Sequence, residues 1–311
     1  MTTSDNIKSD KILELIDAFR RSKTMFAAVR LGIFDGARPA DCKALPRLLD
    51  ACVALGLLEK RDRVYTNTPI ADKYLHSESP DALTGYINYS NDALFPMWAH
   101  LEDAVRQGTP RWNQTFGVEG GLFAGFFRTE ESKREFLKGM HGFGRLCSPA
   151  VAAAFDLNRF HRLIDLGGAS GHLAEAVRER YPHIDARVFD LPEVAVLYPG
   201  TIEGDFFADP LPEADLYSLG RILHDWSDQK IQRLLAKIYA ALPDGGGLLV
   251  AEKLLAPDNV AAHMQSLNML VGTEGRERSA AEYEALLRAA GFSKVESRVT
   301  GAYLDATLAI K

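Results

Sequence analysis

The sequence predicts an α/β protein whose carboxyl-terminal part, residues 156–311, folds as an open, mostly parallel sheet with one antiparallel strand. Short apolar runs alternate there with amphipathic stretches at helical spacing, which is typical of strands joined by crossover helices. The last two runs, 294–299 and 304–310, leave no room for a helix between them and predict an antiparallel pair. Residues 1–85 predict a separate, mainly helical domain, and residues 86–155 predict a helical linker that could roof a ligand site.

The first domain shows the order helix, helix, hairpin. Apolar side chains recur at helical spacing in residues 12–26 and again in residues 45–57, and two β-prone pieces flank a charged turn at 58–66. This order is that of a winged helix, which either reads DNA or forms dimers. A DNA-reading second helix needs basic and polar side chains for base edges, whereas residues 45–57 contain one basic group, Arg47. We therefore expect dimerisation and no nucleic-acid partner.

Residues 70–150 combine helical periodicity with many large aromatic side chains. Such a set either packs into a core or roofs a flat organic ligand. Met140 and Phe143 lie nearest in sequence to the sheet domain and are the candidates for contact with a substrate. The aromatic residues are Tyr86, Tyr89, Phe95, Trp98, Trp112, Phe116, Phe123, Phe126, Phe127, Phe136 and Phe143.

The composition fits a globular protein of two domains. The 311 residues carry a net charge of −6, which provides no general basic surface for nucleic acid. Three cysteines, Cys42, Cys52 and Cys147, lack the paired spacing of a metal site and indicate reduced thiols and a cytoplasmic location. The start of the chain is polar and no apolar run approaches the ~18 residues of a membrane span, so we expect no signal peptide and no membrane contact.

Residues 163–172 predict a buried strand, a tight glycine-rich turn and the start of a helix. In an open α/β sheet, a ligand lies at such a turn. A phosphate-binding P-loop would need Lys and Ser or Thr after its last glycine, and a dinucleotide-binding turn would need a glycine where His172 stands. The pattern that remains is Asp-x-Gly-x-Ala-x-Gly from Asp165 to Gly171, in which a left-handed backbone at Ala169 would be strained. A turn without any ligand is the alternative.

Polar and aromatic side chains follow the next predicted strands. Asp190 ends the second strand about 20 residues after the glycines, where an acid either accepts hydrogen bonds from ribose hydroxyls or is simply solvated. Asp205 and Phe206 could receive an adenine amine and ring, or could be an Asx-turn residue and a core side chain. His224 lies just past the strand at 215–220, facing the same crevice, and titrates near neutral pH. These positions predict a cofactor beside a histidine base, with a packed structural histidine as the alternative.

Several stretches resemble the S-adenosylmethionine (SAM)-dependent small-molecule O-methyltransferases of the plant caffeate/flavonoid type, most closely the acetylserotonin O-methyltransferases and their like-proteins. The glycine-rich turn is similar to the first motif of class I SAM methyltransferases, D/E-x-G-x-G-x-G. The resemblance covers nearly the whole chain. It implies a Rossmann-like class I methyltransferase sheet, a winged-helix dimerisation domain, SAM as cofactor, a hydroxyaromatic substrate, a homodimer and no metal. The stretches are Phe189-Asp190-Leu191-Pro192, Gly204-Asp205-Phe206-Phe207, Leu223-His224-Asp225-Trp226, Ser266-Leu267-Asn268-Met269-Leu270 and Thr273-Glu274-Gly275-Arg276-Glu277-Arg278.

The resemblance also implies roles for single residues. The implied general base and the two acids that orient it are His224, Glu252 and Glu277. The residues expected around SAM are Asp165, Gly167, Gly168, Gly171, Asp190, Leu191, Gly204, Asp205, Phe206 and Arg221. Those expected at the acceptor are Asp225 and Asn268, together with Met140 and Phe143 because of their position in the chain.

The chain departs from the family pattern in three respects. Ala169 replaces a glycine, Gly272 stands where acetylserotonin-type enzymes have a Gln that touches substrate, and segments near 36–44 and 191–203 look shorter. Ala169 and Gly272 favour an alternative, a SAM-binding dimeric regulatory protein that has lost turnover, and the same fold also allows methyl transfer to nitrogen or carbon. Because His224 and its acids are retained, the expected function is transfer of a methyl group from SAM to a hydroxyl of a small aromatic acceptor.

Overall fold

The structure is a computed structural model that describes residues 9–39, 41–120 and 122–311. The chain forms two compact units, Met1–Asp92 and Ala93–Lys311. The helices that follow Asp92 therefore share one compact unit with the sheet. The three-domain division drawn from the sequence stays a prediction.

The first unit contains two helices, a hairpin and two further helices. Its elements are α1 (Asp10–Arg30), α2 (Leu45–Ala54), β1 (Leu58–Arg61), β2 (Val64–Asn67), α3 (Pro69–Tyr74) and α4 (Thr84–Tyr89), with a 3₁₀ turn at Ile33–Asp35. The predicted order of helix, helix and hairpin is confirmed. The hairpin turn has positive φ at both Asp62 (46°) and Arg63 (69°), which lets a two-residue turn follow the twist of the strands.

Apolar surface in the first unit is concentrated on α1. Four side chains at helical spacing are more than half exposed and form one face, here called the α1 stripe; they are Ile12, Leu15, Ile16 and Phe19. Neither α1 nor any other helix in the described part of the chain has the length and apolarity needed to cross a bilayer. An exposed apolar face of this kind is typical of a surface that binds another protein.

The second unit begins with short helices and one long helix. After a π-helical turn at Ser90–Leu94, these are α5 (Phe95–Trp98), α6 (Leu101–Gln107), α7 (Trp112–Phe116), α8 (Leu122–Phe126) and α9 (Glu130–Ala153). A capping box between Thr129 and Ser132 starts α9. The rings of Trp112 and Phe126 meet edge to face at 5.3 Å, and Phe126 stacks on Phe136 at 4.4 Å. These rings pack against one another, as the core interpretation of the aromatic segment predicts.

The rest of the second unit is a seven-stranded sheet with helices between its strands. In chain order the elements are β3 (Arg162–Leu166), α10 (His172–Arg180), β4 (Asp185–Asp190), α11 (Pro192–Ala195), β5 (Ile202–Glu203), β6 (Leu216–Gly220), α12 (Asp228–Ala241), β7 (Gly247–Glu252), α13 (Val260–Gly272), α14 (Ala280–Ala289), β8 (Lys294–Arg298) and β9 (Asp305–Ile310). The strand order is β5-β4-β3-β6-β7-β9-β8, and among these strands β9 runs antiparallel to both neighbours. The predicted fold class, a mostly parallel sheet with one reversed strand, is confirmed.

The strand order reverses beside β3. The chain passes from β3 outward to β4 and β5 and then returns to the other side of β3 with β6. A crevice therefore opens at the carboxyl ends of β3 and β6, which is where open α/β sheets bind ligands. The turn at 167–171 follows β3, the turn at 221–226 follows β6, and Glu252 ends β7. The fold thus brings the predicted site residues to one edge of the sheet.

Candidate active site

The turn after β3 holds two of its three glycines in the left-handed region. The angle φ is 70° at Gly167 and 79° at Gly171, which residues with a Cβ rarely adopt. Ala169 lies between them with φ of 48°, so the strain expected from Ala at this place is present. The N–H of Gly167 donates to the carbonyl of Phe189 at 2.8 Å and ties the turn to the end of β4. The predicted strand, tight turn and helix are confirmed.

Two glycines of this turn lie where a side chain would not fit. A Cβ on Gly168 would overlap the carboxylate of Asp165, and a Cβ on Gly167 would lie 2.7 Å from Cδ1 of Ile222. Oδ1 of Asp165 accepts a hydrogen bond from the hydroxyl of Ser218 at 2.7 Å, whereas Oδ2 has no hydrogen-bond partner among the described residues. Burial raises the pKa of Asp165 to about 7. A buried carboxylate oxygen beside the turn is therefore left for a donor from outside the chain.

Asp190 closes the other side of the turn. Its Oδ2 accepts the N–H of Ala169 at 2.8 Å, and its Oδ1 accepts the N–H of Leu191 at 2.7 Å. Burial raises the pKa of Asp190 to about 6. Each carboxylate oxygen has a second lone pair, so Asp190 retains the capacity to accept a hydrogen bond from a hydroxyl group.

Asp205 and Phe206 follow β5 and approach the same turn. The N–H of Gly204 donates to the carbonyl of Asp190 at 2.9 Å, and the buried ring of Phe206 lies 3.3 Å from the place of a Cβ on Gly167. Oδ1 of Asp205 accepts a hydrogen bond two residues along the chain, from an N–H at 2.7 Å, which is the Asx turn foreseen as the alternative. Contact of Asp205 with an adenine amine stays a prediction.

His224 lies in a short 3₁₀ turn, Leu223–Asp225, directly after β6. Oε1 of Glu252 accepts hydrogen bonds from three successive N–H groups, those of residues 222–224, at 2.8–3.4 Å. The guanidinium of Arg278 donates to two carbonyls of the same segment at 3.1 and 3.3 Å. Glu252 therefore binds the N–H groups of this turn and Arg278 binds its carbonyls, and together these buried charged side chains fix the backbone of His224.

The imidazole of His224 is 3% exposed and faces three carboxyl groups. Its Nδ1 lies 2.6 Å from Oε1 of Glu277 and 3.3 Å from Oε2 of Glu252. Its Nε2 lies 3.7 Å from Oδ1 of Asp225, which is too far for a hydrogen bond. Since Nδ1 faces a carboxylate, it carries the proton of the neutral ring and leaves Nε2 as the nitrogen that can accept one.

The charges around His224 control its titration. Burial lowers the pKa of the imidazole, but the carboxyl groups of Glu252, Glu277 and Asp225 outweigh burial and raise it to about 9. Burial raises the pKa of Glu252 to about 7 and that of Asp225 to about 6. An excess of acidic groups therefore surrounds this part of the crevice and favours positive charge beside it.

His224, Glu252 and Glu277 also place ligand-type atoms within 4.8 Å of one another, as a metal site would. One oxygen of each acid is engaged, Oε1 of Glu252 by backbone N–H groups and Oε1 of Glu277 by the imidazole. The other oxygen of each acid has no hydrogen-bond partner in the described structure. The expectation of no metal stays a prediction that metal analysis of the purified protein tests.

Arg221 joins residues predicted at the cofactor to residues predicted at the acceptor. Its Nη1 donates to Sδ of Met140 at 3.0 Å, and its guanidinium lies 4.6 Å from the ring centre of Phe143. Phe143 meets Tyr303 edge to face at 4.7 Å, and Nζ of Lys253 lies 3.3 Å from the centre of the Tyr303 ring. The result is a wall in which aromatic faces alternate with cations.

Helix α13 carries Asn268 and, one turn later, Gly272. Oδ1 of Asn268 accepts the indole N–H of Trp98 at 2.9 Å. The carbonyl of Gly272 accepts the indole N–H of Trp112 at 2.7 Å, and a Cβ built on Gly272 would meet the methyl of Met97 at 3.9 Å. There is room for a side chain at position 272, so the glycine leaves space on the face of α13 that carries Asn268.

Two known domain families match this chain. The O-methyltransferase domain matches residues 98–293, and the O-methyltransferase dimerisation domain matches residues 13–77. The chain belongs to the O-methyltransferase family. The expectations of an O-methyltransferase and of SAM as its cofactor are thereby confirmed.

Relatives of this O-methyltransferase align over almost all of it. Acetylserotonin O-methyltransferase of Gallus gallus is 39% identical, and the alignment covers 96% of each protein. A human "Probable bifunctional dTTP/UTP pyrophosphatase/methyltransferase protein" is 40% identical over 97% of this chain, which spans 54% of that relative's length. The crystal structure of human N-acetylserotonin methyltransferase in complex with SAM matches with a TM-score of 0.94 at 37% identity, covering 100% of this chain and 99% of that one. The resemblance to acetylserotonin O-methyltransferases is confirmed.

The lengths of these alignments bear on the expectation that the chain is shorter than its relatives. The alignments run over 332 and 334 positions, more than the 311 residues of the chain. This O-methyltransferase therefore carries deletions relative to both proteins. Their assignment to residues 36–44 and 191–203 stays a prediction.

The turn of this O-methyltransferase fits SAM in three ways. Gly167 and Gly168 have no side chain to cover the backbone of the turn, so a ligand can approach that backbone closely. The unpartnered oxygen of Asp165 offers a buried acceptor, and Asp190 can receive a hydroxyl. The acids around His224 suit a ligand with a positively charged sulfur.

The sequence reasoning missed residues that shape this site. Arg278 lies in one of the stretches that resemble the family, but the resemblance gave it no role. In the structure it is 1% exposed and holds the turn of His224. Gly275 packs so closely on this turn that a Cβ would overlap the carbonyl of His224. Lys253, next to Glu252, is also buried. Arg and Lys side chains are normally exposed, so the sequence gives no indication that Arg278 and Lys253 are buried.

Proposed function

We propose that this protein transfers the methyl group of SAM to a hydroxyl of a small aromatic acceptor, with His224 as the general base. The observation that carries the proposal is the 2.6 Å contact between Nδ1 of His224 and Oε1 of Glu277, because it leaves Nε2 to accept a proton. SAM, when bound, supplies a methyl group on a positively charged sulfur that leaves readily. The residues proposed to hold it are Asp165, Gly167, Gly168, Gly171, Asp190, Leu191, Gly204, Asp205, Phe206 and Arg221.

The need for a base follows from the acceptor. A phenolic hydroxyl has a pKa of about 10 by analogy with Tyr and is a poor nucleophile while protonated. A base aligned on that proton contributes roughly 10²–10⁴-fold. The pKa of His224, about 9, lies close to that of such a hydroxyl, so transfer of the proton to Nε2 is nearly balanced. Glu277 stabilises the imidazolium that forms, and Glu252 holds the turn in place.

The residues proposed to contact the methyl acceptor are chosen for their shape and polarity. The ring of Phe143 and the thioether of Met140 suit a flat aromatic molecule, and Asn268 and Asp225 offer polar atoms to orient it. Relatives bear the name acetylserotonin O-methyltransferase. Because Gly272 leaves room on α13, we propose the hydroxyaromatic class for this protein and no narrower identity.

Two measurements, made one after the other, test this function. The first is thermal unfolding with increasing SAM, which raises the unfolding temperature if SAM binds the folded state; saturation at about 100 times Kd adds ~2.7 kcal/mol. The second is consumption of SAM with matched pairs of phenols and anilines that share one ring. Turnover of phenols supports the proposal, whereas turnover of anilines alone assigns transfer to nitrogen. A thermal shift without turnover supports the SAM-binding protein that lost activity, and no shift contradicts the cofactor site.

We also propose that a second copy of the chain covers the α1 stripe. The dimerisation-domain match at residues 13–77 includes most of the stripe, and its exposed apolar side chains suit the core of a subunit interface. Ile16→Glu should convert a dimer to a monomer in sedimentation experiments. Val105→Glu is the control, because Val105 is 61% exposed on α6, which belongs to the other compact unit and lies outside the dimerisation-domain match. A wild type that sediments as a monomer would contradict this proposal.

A cytoplasmic location is the last part of the proposal. Cys42, Cys52 and Cys147 form no disulfide in the described structure, and burial raises the pKa of the Cys52 and Cys147 thiols, which makes them inert. This is what a reducing compartment allows. Fractionation of cells that express the protein tests the location, and secretion of the protein would contradict it.

A further inference from the structure

Helix α9 meets the cofactor turn through two serine–histidine hydrogen bonds. Nδ1 of His141 lies 2.8 Å from Oγ of Ser170, and Oγ of Ser148 lies 2.8 Å from Nδ1 of His172. His141 and Ser148 are seven residues apart and share one face of α9. Their partners flank Gly171, the glycine at which the turn becomes helix α10. The helix therefore holds the turn on both sides of its last glycine.

The ring of His172 is also fixed by shape. It lies so close to the backbone of α9 at Gly144 that a Cβ on that glycine would overlap three ring atoms, Cδ2, Nε2 and Cε1. Gly144 lies on the same face of α9, one turn before Ser148. The Nδ1 edge of the ring is thus hydrogen-bonded to Ser148, while a face of the ring rests on the helix backbone at Gly144. A ring held by one hydrogen bond and one packed face has one orientation, and it fixes the spacing between α9 and α10.

The histidine makes this contact without adding charge. Burial, together with nearby His141 and Arg221, lowers the pKa of His172 to about 4. Burial also lowers the pKa of His141, which Arg145 lowers further and Glu175 raises. His172 is therefore neutral at physiological pH and does not repel a cationic ligand at the adjacent turn.

We propose that His172 is a positioning residue for the SAM-binding turn, and that the bond between His141 and Ser170 is a second tie with the same effect. The inference rests on the proposed role of residues 165–171 as the cofactor turn. Because α9 also carries Met140 and Phe143 against Arg221, its position sets both the turn and the proposed acceptor wall. The affinity for SAM and for its product then depends on how closely α9 packs at Gly144.

The experiment measures equilibrium binding of S-adenosylhomocysteine by calorimetry, which needs no turnover. Gly144→Ala pushes the ring of His172 away and should weaken binding about tenfold, a coupling typical of residues in direct contact. In a His172→Ala background, the added methyl meets no ring, so Gly144→Ala should cause little further loss. Val151→Ala is the matched control, because Val151 is buried on α9 but takes part in neither serine–histidine hydrogen bond; it should lower stability and leave affinity unchanged.

Conservative variants separate hydrogen bonding from packing. His172→Asn can still bond to the hydroxyl of Ser148 and should bind the product more tightly than His172→Leu. Ser148→Ala removes that hydroxyl without adding bulk, and it provides the test if Gly144→Ala does not fold; it should weaken binding several-fold.

Equal affinities of Gly144→Ala and Val151→Ala would overturn the inference, as would an undiminished effect of Gly144→Ala in the His172→Ala background. If the inference alone is wrong, the wild type still binds S-adenosylhomocysteine and Asp190→Asn still weakens that binding. If the wild type does not bind it at all, the proposed cofactor turn is wrong instead.

Discussion

Replacing Glu277 with Gln isolates the charge beneath the proposed base. Gln has the size of Glu, so the fully buried site keeps its packing while the negative charge is lost. The distance of 2.6 Å from Nδ1 of His224 to Oε1 of Glu277 is that of a charge-assisted hydrogen bond. When Nε2 takes the acceptor's proton, the imidazolium of the variant lacks its closest counter-charge.

The size of the effect follows from that bond. A hydrogen bond to a charged group contributes about 1.5–3 kcal/mol, and ~1.36 kcal/mol corresponds to a tenfold change in rate. We therefore expect kcat of Glu277→Gln to fall about 10- to 150-fold above the pKa of His224, where the imidazole is neutral in both proteins. Glu277 is one of the acids that raise the pKa of His224 above its usual value, so its loss lowers that pKa. Because only the neutral imidazole accepts a proton, kcat rises with pH as His224 deprotonates, and this rise moves to lower pH in the variant.

The assay is kcat at saturating SAM from about pH 6 to pH 10, with S-adenosylhomocysteine affinity measured on the same preparation. Glu274→Gln is the control, since Glu274 lies on the same loop and is half-exposed, with an ion pair to Lys230 at 2.9 Å. The control should stay within about twofold of the wild type, as surface ion pairs contribute little. A kcat for Glu277→Gln that is equally close to the wild type, with an unshifted pH profile, would refute the reasoning.

Three further predictions concern the cofactor turn. Asp190→Asn removes a charge that receives the N–H of Ala169 and should weaken S-adenosylhomocysteine binding about tenfold in calorimetry, and an unchanged Kd would count against the proposed role. Ala169→Gly relieves a left-handed backbone worth about 1–2 kcal/mol, less about 0.4–1 kcal/mol for the more flexible unfolded chain, so urea unfolding should show a gain of up to about 1.6 kcal/mol and no loss. Burial raises the pKa of Asp165 from 3.8 to about 7, so the folded state holds a proton that the unfolded state releases within that window. The free energy of unfolding therefore falls as pH rises through the window, and urea titrations at about pH 5 and pH 8 should show a smaller fall for Asp165→Asn than for the wild type. Equal falls would contradict the burial of that charge.

Local patterns made much of the fold predictable from sequence. The strand, turn and helix at 163–172 and the hairpin at 58–66 depend on apolar periodicity and turn residues, which act over a few positions. The short strand Ile202–Glu203 carries no such period and was not identified by its residues. Two serines show the limit of local signals. Both Ser279 and Ser227 stand directly before a helix, where a serine commonly caps it, yet Ser279 forms a capping box with Glu282 whereas the side chain of Ser227 makes no capping bond.

The site was less predictable because its contacts are distant in sequence. His224 meets an acid 53 residues away, a pairing that the family resemblance suggested and that spacing alone would not give. No pattern indicated that the indole of Trp98 engages Asn268 across 170 residues. The bonds of His141 and His172 to serines were equally invisible, because a lone histidine carries no sequence signal for its partner. Such pairs are determined by how helices pack, and a single sequence does not encode that packing in any local period.

The central claim is that Nε2 of His224 removes the proton of the acceptor hydroxyl. Single-turnover methyl transfer by His224→Gln tests it most directly, with S-adenosylhomocysteine affinity measured on the same sample to show an intact cofactor site. The account predicts a rate that falls by roughly 10²–10⁴-fold at nearly unchanged affinity. A rate near that of the wild type would contradict it.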